Sequence, residues 1–157
     1  MSMTEFHLPL WTAVVDFQKA FDCVQHGALW KAMAAQGVPY GYIRICRELY
    51  KDQTGRVTTQ VASRSFAISR GTKQGDPMSP KLFNSVLQRV FEPLLEKWAK
   101  EGGGLEVGGR RLTNLRFADD VLLVAQSASK LESMLEDMAA GAAEVGLQLH
   151  FGKTQVL

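Results

Sequence analysis

Phe117-Ala118-Asp119-Asp120-Val121-Leu122-Leu123-Val124 sets two adjacent carboxylates in front of an apolar run. Val121 to Ala125 reads as a strand, and Arg110 to Ala118 as the hairpin arm before it. Asp119-Asp120 then falls where a tight turn belongs. Carboxylates rarely sit deep in apolar surroundings without partners, and a turn at a sheet edge leaves them open to solvent. Turn chemistry alone accounts for such a pair. It does not account for Asp16, which ends a second apolar strand, Leu10 to Phe17, directly after Ala13-Val14-Val15. If the two strands are neighbours, Asp16 and Asp119 come within reach of shared cations. Mg²⁺ prefers oxygen ligands and commonly takes one or two carboxylates plus substrate phosphates. Two such ions, roughly 3.5–4 Å apart, activate an attacking oxygen and stabilise a leaving one.

Working outward, His26 to Gln36 reads as a helix stopped by Gly37 and Pro39, and Pro39 to Lys51 as a second helix. Arg56 to Ala62 and Ser65 to Ser69 have the composition of hairpin arms. Gly71 to Pro80 is a loop. Ser79 as N-cap with Pro80 at the first helical position opens a helix to about Lys100, which Pro93 should kink or divide. Leu105 to Val107 and Arg110 to Ala118 flank a Gly108-Gly109 turn. Ser129 to Val145 is amphipathic, Gly146 caps it, and Leu147 to Leu157 looks extended. The order strand, helices, strand–turn–strand, helix, strand predicts an α+β fold. Its core is a split β-α-β, ferredoxin-like antiparallel sheet covered by helices.

The chain has 157 residues, 46% hydrophobic and 22% charged, which suits one globular domain and excludes disorder and collagen. No apolar run approaches the ~20 residues of a membrane span. Met1 to Leu10 lacks the basic flank and apolar stretch of a secretory signal. Two cysteines, Cys23 and Cys46, make neither a disulfide framework nor a zinc site, so packed thiols in a reducing compartment are expected. The net charge of +2 hides a segregation. Between Lys31 and Lys81 nine basic residues face three acidic ones, a local excess of six. A solvated surface and a track for a phosphate backbone both fit that stretch.

Four motifs now converge on a family. Val15-Asp16-Phe17-Gln18-Lys19-Ala20-Phe21-Asp22 runs on into Val24-Gln25-His26-Gly27-Ala28-Leu29-Trp30. Gly71-Thr72-Lys73-Gln74-Gly75-Asp76-Pro77-Met78-Ser79-Pro80 continues through Lys81-Leu82-Phe83-Asn84. Phe117-Ala118-Asp119-Asp120 follows. Gly146-Leu147-Gln148-Leu149-His150-Phe151-Gly152-Lys153-Thr154 closes the series. In this order and spacing the chain resembles the reverse transcriptase of non-LTR (LINE-type) retrotransposons, from about His7 to its last residue. His150 stands where that family more often has Asn.

The resemblance implies a polymerase palm with a partial fingers hairpin, residues 23–72 being a fingers-like segment inserted in the palm. It also implies that upstream fingers and a downstream thumb lie outside these 157 residues, so the isolated chain is expected to be weakly active or inactive. The implied activity is RNA-directed DNA synthesis, extending a DNA primer on an RNA template with deoxynucleoside triphosphates and two Mg²⁺, or Mn²⁺ in their place. Asp16, Asp119 and Asp120, with Phe17, would form the metal-binding set. Lys153 would be a mobile cation near the triphosphate and a proton donor to pyrophosphate. Phe21, Gln74 and Gly75 would bind the nucleotide, with Phe21 as a steric gate against a ribose 2′-OH. Arg64, Arg70, Lys73, Pro77 and Ser79 would contact nucleic acid. Asp76 is left outside the metal set. Two other readings fit the same residues: an inactive retroelement relic that at most binds nucleic acid, and a two-metal nuclease, for which Phe21 and the Gln74 loop would have no purpose.

Overall fold

The computed structural model describes residues 9–59 and 62–157. The stretch before Pro9, including His7, and two residues of the expected first hairpin arm, Gln60 and Val61, lie outside them. The central strand is β1 (Trp11–Val15), five residues of aromatic and β-branched character. It pairs antiparallel with β7 (Asp120–Ala125) on one side and β8 (Gln155–Val156) on the other, and β6 (Asn114–Phe117) pairs with β7. The order β6-β7-β1-β8 is all antiparallel, the split β-α-β arrangement expected from the motif order.

Alternation along the strands gives the sheet two different faces. Ala13, Val15, Val121, Leu123 and Ala125 are buried against helices, whereas Val14 is partly exposed on the other side. The covering helices are α2 (His26–Ala35), α4 (Ser79–Lys100) and α5 (Ala128–Glu144), with α3 (Tyr40–Tyr50) packed on α2. A short turn of helix, α1 (Ala20–Cys23), links β1 to α2. The α4 helix buries Leu82, Phe83, Val86, Leu87, Val90 and Phe91 along one stripe. At the end of α5, Leu147 N–H donates to Ala142 O (2.9 Å) and Gly146 N–H to Ala143 O (3.0 Å). This Schellman closure needs the positive φ of Gly146. Cys46 is buried and Cys23 half-buried, both as free thiols. Among the described residues no helix is long and apolar enough to cross a membrane.

Several local expectations are corrected. The hairpin after α3 pairs only β2 (Thr54–Gly55) with β3 (Phe66–Ala67), with one further bridge between Thr58 and Ala62. Its residues are mostly exposed, so β propensity finds no sheet to pack on. The arm expected over Arg110 to Ala118 is two strands. β4 (Leu105–Val107) and β5 (Arg110–Leu112) form a separate ribbon, and β6 joins the main sheet after Thr113. Buried Thr113 makes that crossing, its carbonyl accepting from Val124 N–H (2.9 Å). Pro93 does not divide α4. Val90 and Phe91 before it and Trp98 beyond it are buried in the same core, which holds both halves in one helix. The N-cap of α4 is Met78 rather than Ser79. From Leu147 to Leu157 only β8 and a bridge at Leu149 are extended, because a turn at 151–153 intervenes.

The α4–α5 contact is fastened at Asp137. Its carboxylate accepts from Trp98 Nε1 (2.9 Å) and Lys97 Nζ (2.6 Å). Burial opposes the Asp137 charge, but these two hydrogen bonds and the Lys97 and Lys130 charges outweigh it, and its pKa falls below 3.8. Asp137→Ala leaves the buried Trp98 indole N–H without an acceptor. The expected cost is ~1–3 kcal/mol in urea unfolding at neutral pH. A depressed carboxyl pKa stabilises the fold above the unfolded value and stops doing so as pH falls through the folded value. The charge-dependent part of the wild-type advantage should therefore fade below about pH 4.

Gly71 marks the tightest approach of the 71–80 loop to the chain after β1. It has φ +88°, and a Cβ there would lie 2.8 Å from the Asp22 carbonyl oxygen. Gly75 has φ +80° with open space around it. Both Gly→Ala changes carry a backbone penalty of ~1–2 kcal/mol. In denaturant titrations Gly71→Ala should lose clearly more than Gly75→Ala, and equal losses would show that the close approach does not matter.

Candidate active site

β1 and β7 run in opposite directions, so the C-terminal end of one lies beside the N-terminal end of the other. The last registered pair is Val15 with Val121. The next position in the same register sets Asp16 opposite Asp120. Both follow the alternation onto the sheet face that the helices leave open, Asp16 half-buried and Asp120 exposed. Phe17 is 4% exposed and bridges Leu149, so its ring belongs to the core. Only its backbone carbonyl has the chemistry of a hard ligand.

Phe117 pairs with Asp120, which leaves Ala118 and Asp119 as a two-residue turn. Ala118 takes φ +53°, unusual for a residue with a Cβ. Half-buried Asp119 follows it, outside the ladder and at the mouth of the sheet.

On the other side of Asp16 lies the 146–154 segment. His150 N–H donates to the Asp16 backbone carbonyl (2.7 Å), and the His150 carbonyl accepts from Lys153 N–H (2.9 Å) and Thr154 N–H (3.0 Å). This turn returns Lys153 toward β1, where Nζ stands 3.5 Å from Asp16 Oδ2. Lys153 is 67% exposed, and an ion pair so open to water is worth only ~0–1 kcal/mol. The contact is easily exchanged for another anion. His150 Nδ1 is buried without a hydrogen-bond partner among the described residues.

The donor set suits a divalent ion. Among the described residues no group of three His, Cys, Asp or Glu side chains stands close enough to hold a metal ion by itself. Strand-end carboxylates at an open edge instead leave coordination positions for water and phosphate oxygens, the pattern Mg²⁺ accepts.

A cavity of about 480 Å³ is lined by Phe21, Lys73, Gln74, Gly75, Asp76, Pro77 and Ser79 together with Pro80. It brings together most of the residues expected to meet a nucleotide. Phe21 is half-buried and stacks on Phe83 of α4, centroids 4.6 Å apart, so its ring is supported from behind. The loop is anchored to the same stretch of chain: Gly71 N–H donates to Val24 O and Thr72 N–H to Phe21 O, both at 2.7 Å. Ser79 is buried and its hydroxyl donates to Lys73 O (2.5 Å), while Asp76 Oδ1 accepts from Met78 N–H (2.8 Å). These two side chains shape the loop from within. Pro77 is exposed at its rim.

A second cavity of about 800 Å³ adjoins it through Lys73 and Gln74 and is also lined by Asp22, Phe66 and Arg70. Arg70 is exposed there, whereas Arg64 is exposed on the β2–β3 hairpin and lines neither cavity. Lys73 Nζ donates to Leu49 O (2.9 Å) and lies over the Tyr50 ring, 5.4 Å from its centroid. Sequence reasoning missed two partners. Asp22 accepts from Gln74 Nε2 (3.0 Å), and Tyr50 OH meets Lys73 N–H at 3.4 Å. Asp22 sits inside a quoted motif, so only its partner was hidden, whereas Tyr50 carries no local signal beyond the core stripe of α3.

Comparison with known proteins identifies the family. The family model described as reverse transcriptase (RNA-dependent DNA polymerase) matches residues 4–157. The chain is 32% identical over 141 residues to the Pol polyprotein of a type-1 retrotransposable element R2 of Nasonia vitripennis, 89% of this chain and 13% of that protein. It is also 32% identical over 142 residues to the Pol polyprotein of the type-2 element R2DM of Drosophila melanogaster, 90% of this chain and again 13% of the relative. The chain thus spans about an eighth of the length of these relatives. Among solved structures it superposes with a TM-score of 0.71 on telomerase from Candida albicans in complex with the TWJ fragment of telomeric RNA. That match covers 99% of this chain and 29% of telomerase at 17% identity, so it speaks for the fold. The resemblance read from the motifs is borne out: the chain belongs to the reverse transcriptase family and is a palm-like α+β fragment similar to the non-LTR retrotransposon enzymes.

Proposed function

We propose that this chain is the catalytic palm, with residues 23–72 as a fingers-like segment, of an RNA-directed DNA polymerase that extends a DNA primer on an RNA template. What supports the reading is the β1–β7 register, which carries Asp16 and Asp120 to the same end of the strand pair, with Lys153 3.5 Å from Asp16 and a separate cavity lined by Phe21 and Gln74. In the reaction the primer 3′-oxygen forms a bond to the α-phosphorus of a deoxynucleoside triphosphate. The bond to the bridging oxygen breaks, and pyrophosphate leaves.

Asp16, Asp119 and Asp120 would hold two Mg²⁺, or Mn²⁺ in their place, with the Phe17 carbonyl as a further oxygen donor. Those ions would neutralise phosphate charge and activate the attacking oxygen. Lys153 would exchange its exposed contact with Asp16 for the departing pyrophosphate and give it a proton. Phe21, backed by Phe83, would fill the space of a ribose 2′-OH. Gln74, held by Asp22, would present its amide to the nucleotide, and Gly75 would let backbone come close. Lys73, Arg70 and Arg64 would meet nucleic-acid phosphates, and Pro77 and Ser79 would shape the loop against the strand. RNA in complex with the telomerase neighbour is consistent with a nucleic-acid partner.

Positioning supplies much of such catalysis, so the 157-residue chain alone should extend primers weakly and without processivity. Incorporation of a deoxynucleotide on a primed RNA template should require Mg²⁺. It should fall on the order of 100-fold or more in Asp119→Asn, the scale seen when stabilisation of developing charge is removed. Cleavage of the template by the same acids, with no incorporation, would overturn the reading in favour of a nuclease. Phe21→Ala should admit ribonucleotides that the wild type rejects, and an unchanged ratio would remove Phe21 from the gate.

A further inference from the structure

The basic excess between Lys31 and Lys81 is only partly absorbed by the loop cavities. Part of it lies on α3 and the residue that caps it, where two side-chain rows run at helical spacing. Ile43, Cys46 and Tyr50 are buried. Next to them, Arg44, Arg47 and Lys51 are all exposed. Two of these cations, Arg47 and Lys51, line a cavity of about 430 Å³ whose other walls are His26, Trp30, Tyr50 and Glu48. Its size lies within the ~300–1,000 Å³ of sites that take small organic groups.

Three aromatic rings meet there. Tyr50 is the buried base, with His26 edge-on at 5.2 Å and Trp30 at 5.5 Å between centroids. His26 and Trp30 are half-buried, so part of each ring stays open. The group is held in place from the active-site side. His26 Nε2 is 2.9 Å from the Gly71 carbonyl, and Lys73 Nζ lies over the Tyr50 ring. Tyr50 and His26 therefore join this cavity to the loop that lines the nucleotide cavity. The one acid in the wall, Glu48, is drawn to Lys51 at 3.8 Å, both well exposed.

Rings set among exposed cations suit a nucleobase with its flanking phosphates. Every base has a face that stacks, and Arg and Lys meet the backbone, the combination used to hold unpaired strands. We propose that the His26–Trp30–Tyr50 cavity is a stacking site for an unpaired nucleotide of a nucleic-acid strand, with Arg47 and Lys51 on the adjoining phosphates. The proposal rests on the polymerase reading only for the source of that strand, the single-stranded template beyond the nucleotide cavity.

The test is binding of a labelled single-stranded RNA of about ten nucleotides, titrated at several salt concentrations with the 157-residue chain. Arg47→Ala with Lys51→Ala, both at exposed positions, should flatten the plot of log affinity against log salt by about 1.4, at ~0.7 per cation for a single strand. Trp30→Ala should weaken binding roughly five- to one-hundred-fold, and Trp30→Phe should recover most of the loss. An oligonucleotide with abasic positions should bind wild type as weakly as the intact one binds Trp30→Ala. An unchanged salt slope in the double variant would overturn the site whatever Trp30→Ala does to folding, and equal binding of abasic and intact strands would overturn the stacking. Competition by adenosine monophosphate as strong as by the oligonucleotide would replace the strand with a free mononucleotide. Primer extension is measured on the same preparations. Extension with an unchanged slope sinks this site alone, and a flattened slope with template cleavage in place of extension sinks only the polymerase reading.

Discussion

The register between β1 and β7 is the constraint on which the rest depends. With Val15 opposite Val121, Ala13, Val15, Val121, Leu123 and Ala125 all turn toward the helices. The same register sends Asp16 and Asp120 to the open face at the strand ends. A slip of one residue would reverse every side chain of the slipped strand. It would expose Val15 and drive the Asp16 carboxylate under α4 and α5, where an unpaired charge is costly. Core and site are therefore selected together: burial of the apolar set holds the carboxylates in their place.

The chain just beyond β1 carries the remaining parts. His150 bonds to the Asp16 carbonyl, Thr72 to the Phe21 carbonyl and Gly71 to the Val24 carbonyl. Two distant segments, the 71–80 loop and the 146–154 turn, thus hang on one run of nine residues by backbone hydrogen bonds, which fix position. The side-chain contacts within the site are of another kind. Lys153 with Asp16 and Gln74 with Asp22 are exposed and weak, so they can be exchanged for phosphate and base groups. A rigid backbone frame with replaceable side-chain partners suits a site that must accept a new nucleotide at every step.

The elements legible in the sequence were those whose pattern is also their packing. β1, α2, α3 and α5 match their expected spans within about two residues, since their apolar periodicity faces the core. The errors fall where tertiary contacts override local preference. Arg56 to Ala62 and Ser65 to Ser69 have the composition of strands, but their described residues are exposed, with no layer to pack on. Ser79 has the chemistry of an N-cap, yet its hydroxyl is drawn to Lys73 O instead. Thr113 interrupts one apparent strand because the chain changes sheets there.

Sequence alone determined the candidate chemistry: Asp16, Asp119, Asp120, Gln74 and Lys153 are legible because four ordered motifs tie residue type to spacing, and spacing is a local property. Only the tertiary structure decided which of these groups meet. It decided that Lys153 reaches Asp16, that Asp22 holds Gln74, and that Tyr50 meets both Lys73 and the His26–Trp30 pair. Those contacts join residues far apart in the chain. They follow from strand register and helix packing, which the burial of the whole core fixes at once.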